Sequence, residues 1–255
     1  MLSNSEFPDR VDSSVAAHEI GREGAVDVWV SEQVAAAWSY TSGGTPRRVA
    51  TLGKWAVMRA QEAATDAYYG RRGLRTTGTD LGIHEADSEL MGYAPIRWRS
   101  LRGLFGNWQI TPDDVLLDYG SGKGRSVIWA ASSYRFRRII GVELDPHLHR
   151  SAQANLARWN GPLLCDNVEF TCADATQFDV PDDVTVIYFY NPFIGTVFEK
   201  VLGKIQESLT RNPRELTVLY GHPRMHDSVL KAGFMLEREH TAAPNDWAIY
   251  RYPGN

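Results

Sequence analysis

The spacing of apolar residues divides the chain into two regions. From residue 113 onwards, short apolar runs alternate with stretches in which apolar residues recur every three or four positions. The first pattern is typical of buried strands and the second of amphipathic helices. The run VTVIYFY at 184–190 is nearly continuous in apolar and aromatic residues, as expected for a central strand buried on both faces. This region therefore predicts an α/β fold with a doubly wound, mostly parallel sheet.

The individual elements of this second region follow from the same pattern. The last two predicted strands follow each other with no helix between them, which predicts an antiparallel C-terminal hairpin. Strands are predicted at 115–118, 138–143, 167–171, 184–190, 216–220, 234–239 and 247–252, and helices at 125–133, 146–159, 197–209 and 225–231.

The first 111 residues are expected to be mostly helical. Apolar stripes predict helices at 25–40 and 48–67, and a shorter helix at 98–108. The stretch 69–93 is rich in glycine and threonine without sustained periodicity, which is typical of a lid or binding segment. We therefore expect residues 1–111 to form a helical N-terminal cap with a lid or pocket segment. Residues 112–255 would form the sheet domain.

Composition and charge narrow the classes of function. The length of 255 residues suits one α/β domain with an elaboration, and the net charge of −4 provides no basic field for a polyanion. No nucleic-acid partner is therefore expected. The first ten residues lack the apolar run of a signal peptide, and no later run predicts a membrane span. The two cysteines, Cys165 and Cys172, are expected to be small core residues in a reducing cytoplasm.

The strongest chemical signal is the glycine loop Asp118-Tyr-Gly120-Ser-Gly122-Lys-Gly124 between a predicted strand and a helix. Glycines permit positive φ and close approach of the backbone to a ligand, at the strand end where open α/β sheets bind ligands. The spacing differs from that of dinucleotide and P-loop motifs. A carboxylate before the first glycine suits a ligand with an ammonium group and a sulfonium charge. S-adenosylmethionine fits that description.

Two further acids lie at the ends of the next two predicted strands, Glu143 as the last strand residue and Asp174 just after its strand. Glu143 could accept hydrogen bonds from ribose hydroxyls, and Asp174 could accept one from an adenine amino group. An isolated acid at a strand end is more often a turn or helix cap. Acids at three consecutive strand ends, with the glycine loop first, favour a nucleoside site instead.

Residues 118–124, Gly141-Val-Glu143 and Ala173-Asp-Ala175 resemble the successive motifs of class I S-adenosylmethionine-dependent methyltransferases. The resemblance covers about residues 113–252. It implies a Rossmann-like seven-stranded sheet in which only the last-inserted strand is antiparallel. It also implies S-adenosyl-L-methionine as cofactor and S-adenosyl-L-homocysteine as product. By this resemblance, Asp118 and the loop would hold the methionine portion of the cofactor, and Asp174 would hold the adenine. Glu143 would hold the ribose, and Asp145 is a competing candidate for that role. The expected cofactor-binding residues are Asp118, Gly120, Ser121, Gly122, Gly124, Glu143, Leu144, Asp174, Ala175 and Asn191.

The tetrad Tyr190-Asn191-Pro192-Phe193 follows the fourth strand, which in this family faces the transferable methyl group. It resembles the Asn-Pro-Pro-Tyr/Phe motif of amino methyltransferases but lacks one proline. A simple turn after a buried strand is the alternative interpretation. The candidate catalytic residues are Asn191, Tyr93 as a pocket residue, and His222 as a base, with His84 a second candidate base.

Together these features predict transfer of a methyl group to a nitrogen or oxygen of a small-molecule acceptor by in-line displacement. The alternatives are a protein (lysine or amide) or nucleic-acid N-methyltransferase, and a non-catalytic S-adenosylmethionine-binding protein. The run Gly122-Lys-Gly-Arg125, together with Asn191-Pro-Phe193, also resembles protein-lysine methyltransferases of the histone-core type. No metal site is predicted. The N-terminal helices could cap the active site or form a homodimer contact.

Overall fold

The structure, a computed structural model, describes residues 45–77, 89–241 and 245–254. The helix predicted at 25–40 and the candidate base His84 lie outside these ranges. The chain divides into two compact units, Met1–Trp55 and Ala56–Asn255. The described part of the first unit is the beginning of one helix. The second unit contains the sheet and the elements around it.

The sheet has seven strands in the order β3-β2-β1-β4-β5-β7-β6. Strand β7 runs antiparallel to both β5 and β6, while the pairs from β3 to β5 are parallel. This confirms the predicted Rossmann-like α/β fold and its C-terminal hairpin. The strands are β1 (Val115–Tyr119), β2 (Arg138–Glu143), β3 (Val168–Cys172), β4 (Val186–Tyr190), β5 (Leu216–Gly221), β6 (Met235–His240) and β7 (Trp247–Tyr252).

Six helices lie in the described ranges, and two of them differ from the prediction by three or more residues at an end. The helix predicted at 48–67 continues to Arg71, and its last turn is held by packing, since Tyr69 stacks on Trp98 with ring centroids 4.4 Å apart. The helix predicted at 98–108 ends earlier, where Gly106 donates its N–H to the Arg102 carbonyl. The helices are α1 (Thr45–Arg71), α2 (Trp98–Phe105), α3 (Arg125–Ser133), α4 (Pro146–Arg158), α5 (Gly195–Arg211) and α6 (His226–Lys231).

Two apolar cores cover the two faces of the sheet, because successive strand residues point to opposite faces. Leu117 of β1 packs in one core with Phe198 of α5, and Leu116 packs in the other with Leu101 of α2. The predicted core position is confirmed for Cys165, which is buried, and wrong for Cys172, which is exposed at the end of strand β3 at the sheet edge. Within the described ranges, no helix is both long and apolar enough to cross a bilayer.

Candidate functional site

A cavity opens at the carboxyl ends of β1, β2 and β4. It encloses about 1070 Å³ of empty space, part of which is open solvent, and is lined mostly by apolar and aromatic residues. The position matches the place where open α/β sheets bind ligands. The walls combine strand ends with a segment at 90–96 that precedes α2. Among the predicted site residues, the wall contains Tyr93, Asp118, Gly120, Ser121, Gly122, Glu143, Leu144, Asp174, Ala175 and Asn191.

The glycine loop after β1 has the left-handed backbone that its glycines permit. Gly120 has φ of 74° and Gly122 has φ of 55°. A Cβ at Gly120 would lie 2.5 Å from the side chain of Pro192, and one at Gly122 would lie 2.5 Å from the ring of Tyr93. These two positions therefore require glycine for conformation and for space. The loop is also tied to β2, since Gly120 donates its N–H to the Val142 carbonyl at 2.9 Å.

Glu143 at the end of β2 joins the glycine loop to the start of α4. Its Oε2 accepts the N–H of Gly122 at 2.7 Å, and its Oε1 accepts that of Asp145 at 2.9 Å. Burial raises the pKa of the Glu143 carboxyl, and the backbone hydrogen bonds oppose that shift. Asp145 caps α4 by accepting the N–H of His147 at 2.7 Å. The Glu143 carboxylate thus holds the glycine loop, whereas the Asp145 carboxylate holds the start of α4.

Asp118 is fully buried at the end of β1. Its carboxylate accepts a hydrogen bond from the hydroxyl of Ser126 on the first turn of α3. Desolvation raises the pKa of Asp118 to about 7, and the nearby Glu143 charge acts in the same direction. The strand register places Asp118 level with Tyr188 of β4, whose buried hydroxyl has no hydrogen-bond partner among the described residues.

The rim beside β3 is formed by Leu144, Asp174 and Ala175. Asp174 is exposed, and its Oδ1 accepts both the N–H and the hydroxyl of Thr176 at 2.8 Å each. This carboxylate therefore stabilises the turn after β3 while it faces the cavity. Leu144 is 41 % exposed, so an apolar surface lies open at the cavity edge.

The chain turns sharply after β4. Asn191 has φ of 46°, a conformation that asparagine tolerates better than most residues, and its buried Oδ1 lacks a partner among the described residues. The following residues pair with the segment before α2: Met91 donates its N–H to the Pro192 carbonyl at 3.1 Å, and Ile194 donates to the Glu89 carbonyl at 2.8 Å. We call residues 89–96 the roof segment.

Tyr93 of the roof segment lies over the glycine loop. Its ring contacts the backbone at Gly122, and the ammonium nitrogen of Lys123 lies 4.9 Å from the ring centroid. Its hydroxyl donates to the Thr76 carbonyl at 2.8 Å. The structure therefore brings Tyr93 to the glycine loop from 29 positions earlier in the chain.

Two predicted site residues lie away from the wall. Gly124 is the N-cap of α3, with φ of 80°. His222 at the end of β5 is half-buried, with its Nδ1 2.7 Å from Oδ1 of Asp246 and its ring centroid 5.9 Å from that of Tyr190. Tyr190 lines the cavity and His222 does not. The reason is that His222 pairs with Asp246, which lies in the connection between β6 and β7, immediately before β7.

Several wall residues were missed by the sequence prediction. Ser126 could have been found as a residue in the first turn of the helix after the glycine loop, and Tyr190 as the first residue of the tetrad at 190–193. The roof residues Leu90 and Met91 carry no such signal, because only long-range pairing brings them to the site. Within the described ranges, His, Cys, Asp and Glu side chains form no group of three or more that could hold a metal ion.

Comparisons with known proteins agree with this architecture. Residues 116–212 match a family profile described as a methyltransferase domain. A protein-lysine N-methyltransferase from Saccharolobus islandicus is 30% identical over 122 residues, which cover 48% of this chain and 72% of that protein.

Solved structures also resemble the chain in fold. An RNA methyltransferase from Salinibacter ruber, in complex with S-adenosyl-L-homocysteine, is 23% identical with a TM-score of 0.44, over 62% of this chain and 92% of that one. A SAM-dependent methyltransferase from Geobacter sulfurreducens, in complex with S-adenosyl-L-homocysteine, is 18% identical with a TM-score of 0.45, over 57% of this chain and 67% of that one.

The sheet order, the glycine loop and the sequence relatives lead to one assignment. The loop motif, Glu143 at the end of β2 and Asp174 after β3 face one cavity. The family profile covers the strands that carry them. The chain belongs to the class I S-adenosylmethionine-dependent methyltransferases, and it is an enzyme that uses S-adenosylmethionine as its methyl donor.

Proposed function

We propose that the protein methylates a nitrogen of a small-molecule acceptor bound beneath Tyr93 and beside Asn191. The observation that carries this proposal is a set of unsatisfied polar atoms on the cavity wall. In the described part of the chain, Ser121 Oγ, Tyr188 OH and Asn191 Oδ1 are buried wall atoms without a hydrogen-bond partner. Buried polar groups are normally satisfied, so these atoms favour a polar ligand in the cavity.

The cofactor fits the half of the cavity beside β1 and β2. Bound there, S-adenosylmethionine would supply an electrophilic methyl group on a sulfonium. Asp118 would face the ammonium of the methionine portion, and a cation beside it would return its carboxyl to the charged form. Glu143 would accept ribose hydroxyls with the oxygen lone pairs that its two backbone N–H partners leave available. Asp174 would accept from the adenine amino group.

The acceptor fits the other half, between the roof segment and the end of β4. The rings of Tyr93, Tyr190 and Phe193 would surround a flat or apolar acceptor and exclude water. Asn191 Oδ1 would accept an acceptor N–H and thereby aim the nitrogen lone pair at the methyl group. In-line displacement depends on such alignment, so positioning can supply much of the catalysis. Residues 1–111 act as cap and acceptor-pocket segment in this proposal.

His222 has no step in this mechanism. Its ring packs against that of Tyr190 outside the cavity wall, and its buried Nε2 has no partner among the described residues. A proton released by the acceptor nitrogen after methyl transfer would pass to solvent through the open mouth of the cavity. A general base is required only where the acceptor must lose its proton before attack.

A protein lysine is the second candidate acceptor. The observation that favours it is the 30% identity to the Saccharolobus islandicus protein-lysine N-methyltransferase. A lysine side chain could enter through the open side of the cavity and present its nitrogen to Asn191. Both candidate acceptors would use the same cofactor half of the cavity. A small molecule would lie within the cavity, whereas a protein lysine would leave the rest of its protein outside the mouth.

Calorimetry tests the cofactor half. The wild type should bind S-adenosylmethionine and S-adenosylhomocysteine but not NAD. Glu143→Ala should lower the affinity for both adenosyl ligands by about 100-fold, since charge-assisted hydrogen bonds are worth about 1.5–3 kcal/mol each. Glu169→Ala is the matched control, because Glu169 is an exposed acid on the neighbouring strand. Equal affinity of Glu143→Ala and wild type would exclude the assigned ribose contact.

Transfer of a tritiated methyl group tests the acceptor. The enzyme and labelled S-adenosylmethionine are incubated with cell extract divided into small-molecule and macromolecular fractions. We expect label in the small-molecule fraction on nitrogen, and about 10²-fold less of it with Asn191→Ala, which removes one positioned hydrogen bond. Label in acid-precipitated protein, located on lysine by mass spectrometry, would instead identify the second candidate. Label on oxygen would exclude the role given to Asn191.

A further inference from the structure

Arg125 is a buried cation that follows the glycine loop and forms part of the cavity wall. It is the first residue of α3, follows Gly124, and is 5 % exposed. A buried charge must be paired and hydrogen-bonded to be stable. Its Nη2 contacts Asp66 Oδ1 at 2.8 Å, its Nη1 donates to the Ile96 carbonyl at 2.9 Å, and its Nε donates to Thr76 Oγ1 at 2.8 Å.

These partners come from separate segments that precede the sheet. Asp66 lies on α1, Thr76 lies between α1 and the roof segment, and Ile96 is the last roof residue. Trp98 strengthens the junction: its indole N–H donates to the same Asp66 oxygen at 2.8 Å, and the Arg125 guanidinium lies 4.4 Å from its ring centroid. A planar, forked donor suits this arrangement better than a lysine ammonium would.

Thr76 connects the buried cation to the roof of the cavity. Its hydroxyl accepts from Arg125 and its carbonyl accepts from the hydroxyl of Tyr93. The ring of Tyr93 rests on the backbone at Gly122. The path from Arg125 through Thr76 to Tyr93 therefore returns to the glycine loop, two residues before Gly124.

We propose that Arg125 is a positioning residue that holds the roof segment closed over the glycine loop and thereby sets the depth of the cofactor and acceptor cavity. It touches the segments that form the roof, and Ile96 binds it directly. The consequence for ligand affinity rests on the proposed function. The closure itself does not, since it concerns contacts within this chain.

Hydrogen–deuterium exchange of the ligand-free protein tests the closure. Arg125→Met keeps most of the side-chain volume and removes the charge, so we expect exchange in peptides covering 74–77 and 89–96 to become at least about tenfold faster, while β4 and β5 keep wild-type rates. Arg125→Lys should recover part of the protection because it keeps the charge. Arg138→Met is the matched control, since Arg138 pairs with Asp183 on the sheet surface.

Thr76→Val provides a milder variant if Arg125→Met fails to fold. It removes one hydroxyl in a residue that is 2 % exposed and should increase exchange at 89–96 without changing β4 or β5. Wild-type exchange at 89–96 in a folded Arg125→Met or in Thr76→Val would overturn the proposal. A uniform rise across the sheet would also overturn it, because it would indicate a purely structural role.

Calorimetry with S-adenosylhomocysteine then measures the effect on the cavity. We expect Arg125→Met to weaken binding about tenfold, with partial recovery in Arg125→Lys. Unchanged affinity alongside faster exchange at 89–96 would remove the link to cavity depth. If the wild type itself binds no S-adenosylhomocysteine, the assigned cofactor contacts fail, and the exchange result still decides whether Arg125 closes the roof.

Discussion

The two halves of the cavity are built in different ways. The cofactor half consists of strand ends that follow one another along the chain: the glycine loop after β1, Glu143 at the end of β2 and Asp174 after β3. The acceptor half joins the roof segment to the turn after β4, about 100 positions later. The cofactor half is therefore formed by consecutive strand–loop–helix units, whereas the acceptor half is formed by pairing of segments that are distant in the chain.

The halves also differ in what holds them together. In the cofactor half, a buried carboxylate accepts two backbone N–H groups, and charge-assisted bonds of this kind are strong. At Tyr93 in the acceptor half, by contrast, a ring rests on a glycine and one neutral hydroxyl donates to a carbonyl, while backbone hydrogen bonds and Arg125 hold the rest of the roof segment. Substitutions at Glu143 and in the glycine loop should therefore have large effects, and those at Tyr93 smaller ones.

The largest expected effect comes from Gly122→Ala, which disturbs both halves together. The new Cβ would lie 2.5 Å from the Tyr93 ring at a residue with φ of 55°. We expect S-adenosylhomocysteine affinity to fall at least about 100-fold and unfolding free energy to fall by roughly 1–3 kcal/mol, the usual cost of backbone strain. Calorimetry and denaturant titration measure the two quantities.

Gly203→Ala is the control for this substitution. Gly203 lies within α5, and a Cβ there meets no atom within 4 Å. Alanine should leave affinity unchanged and stabilise the helix by about 0.5–1 kcal/mol. An affinity for Gly122→Ala within threefold of wild type would contradict the close contact between the two halves.

A middle-sized effect is expected from Asp118→Asn, and it depends on pH. Burial raises the pKa of Asp118 from 3.8 to about 7, so the folded protein holds a proton that the unfolded chain releases. Stability from this group is thus full below pH 3.8 and is lost as the pH rises towards 7. Asparagine keeps the Ser126 hydrogen bond without a charge. The variant should therefore exceed wild type in Tm by several degrees at pH 8 while it binds S-adenosylhomocysteine more weakly.

Thermal unfolding from pH 5 to pH 8 measures the Asp118 effect. The difference in Tm between variant and wild type should shrink as the pH falls. Asp183→Asn serves as control, because Asp183 is a surface acid paired with Arg138. A difference that stays constant over this range, or a less stable variant at pH 8, would show that Asp118 is charged in the ligand-free fold.

The smallest expected effect is that of Tyr93→Phe, which separates the ring contact from the hydroxyl contact of the roof. It removes the hydrogen bond to the Thr76 carbonyl, worth about 0.5–1.5 kcal/mol, and keeps the ring over Gly122. We expect S-adenosylhomocysteine affinity to fall about two- to fivefold, and Tyr93→Ala to lower it further. If Phe and Ala have equal effects, the ring does not contribute to the cavity.

The sheet and the cofactor half could be largely predicted from sequence. Alternating apolar runs gave strands β2 and β7 at their observed bounds, and the glycine spacing located the loop. Such features depend on neighbours within a few residues. His222 shows the limit: its place at the end of β5 was predictable, but its contact with Asp246 of a distant connection turned it away from the cavity wall.

By itself, therefore, the sequence determined the α/β fold, the family, and the glycine loop and acids that line the cavity at the ends of β1, β2 and β3, because each depends on local periodicity or on a short motif. Only the tertiary structure decided that the roof segment pairs with the turn after β4, that Tyr93 lies on Gly122, and that Arg125 is buried against Asp66. Those contacts join residues separated by tens of positions. Their formation depends on how the helices and the roof segment pack on the folded sheet, and a local sequence pattern does not predict that packing.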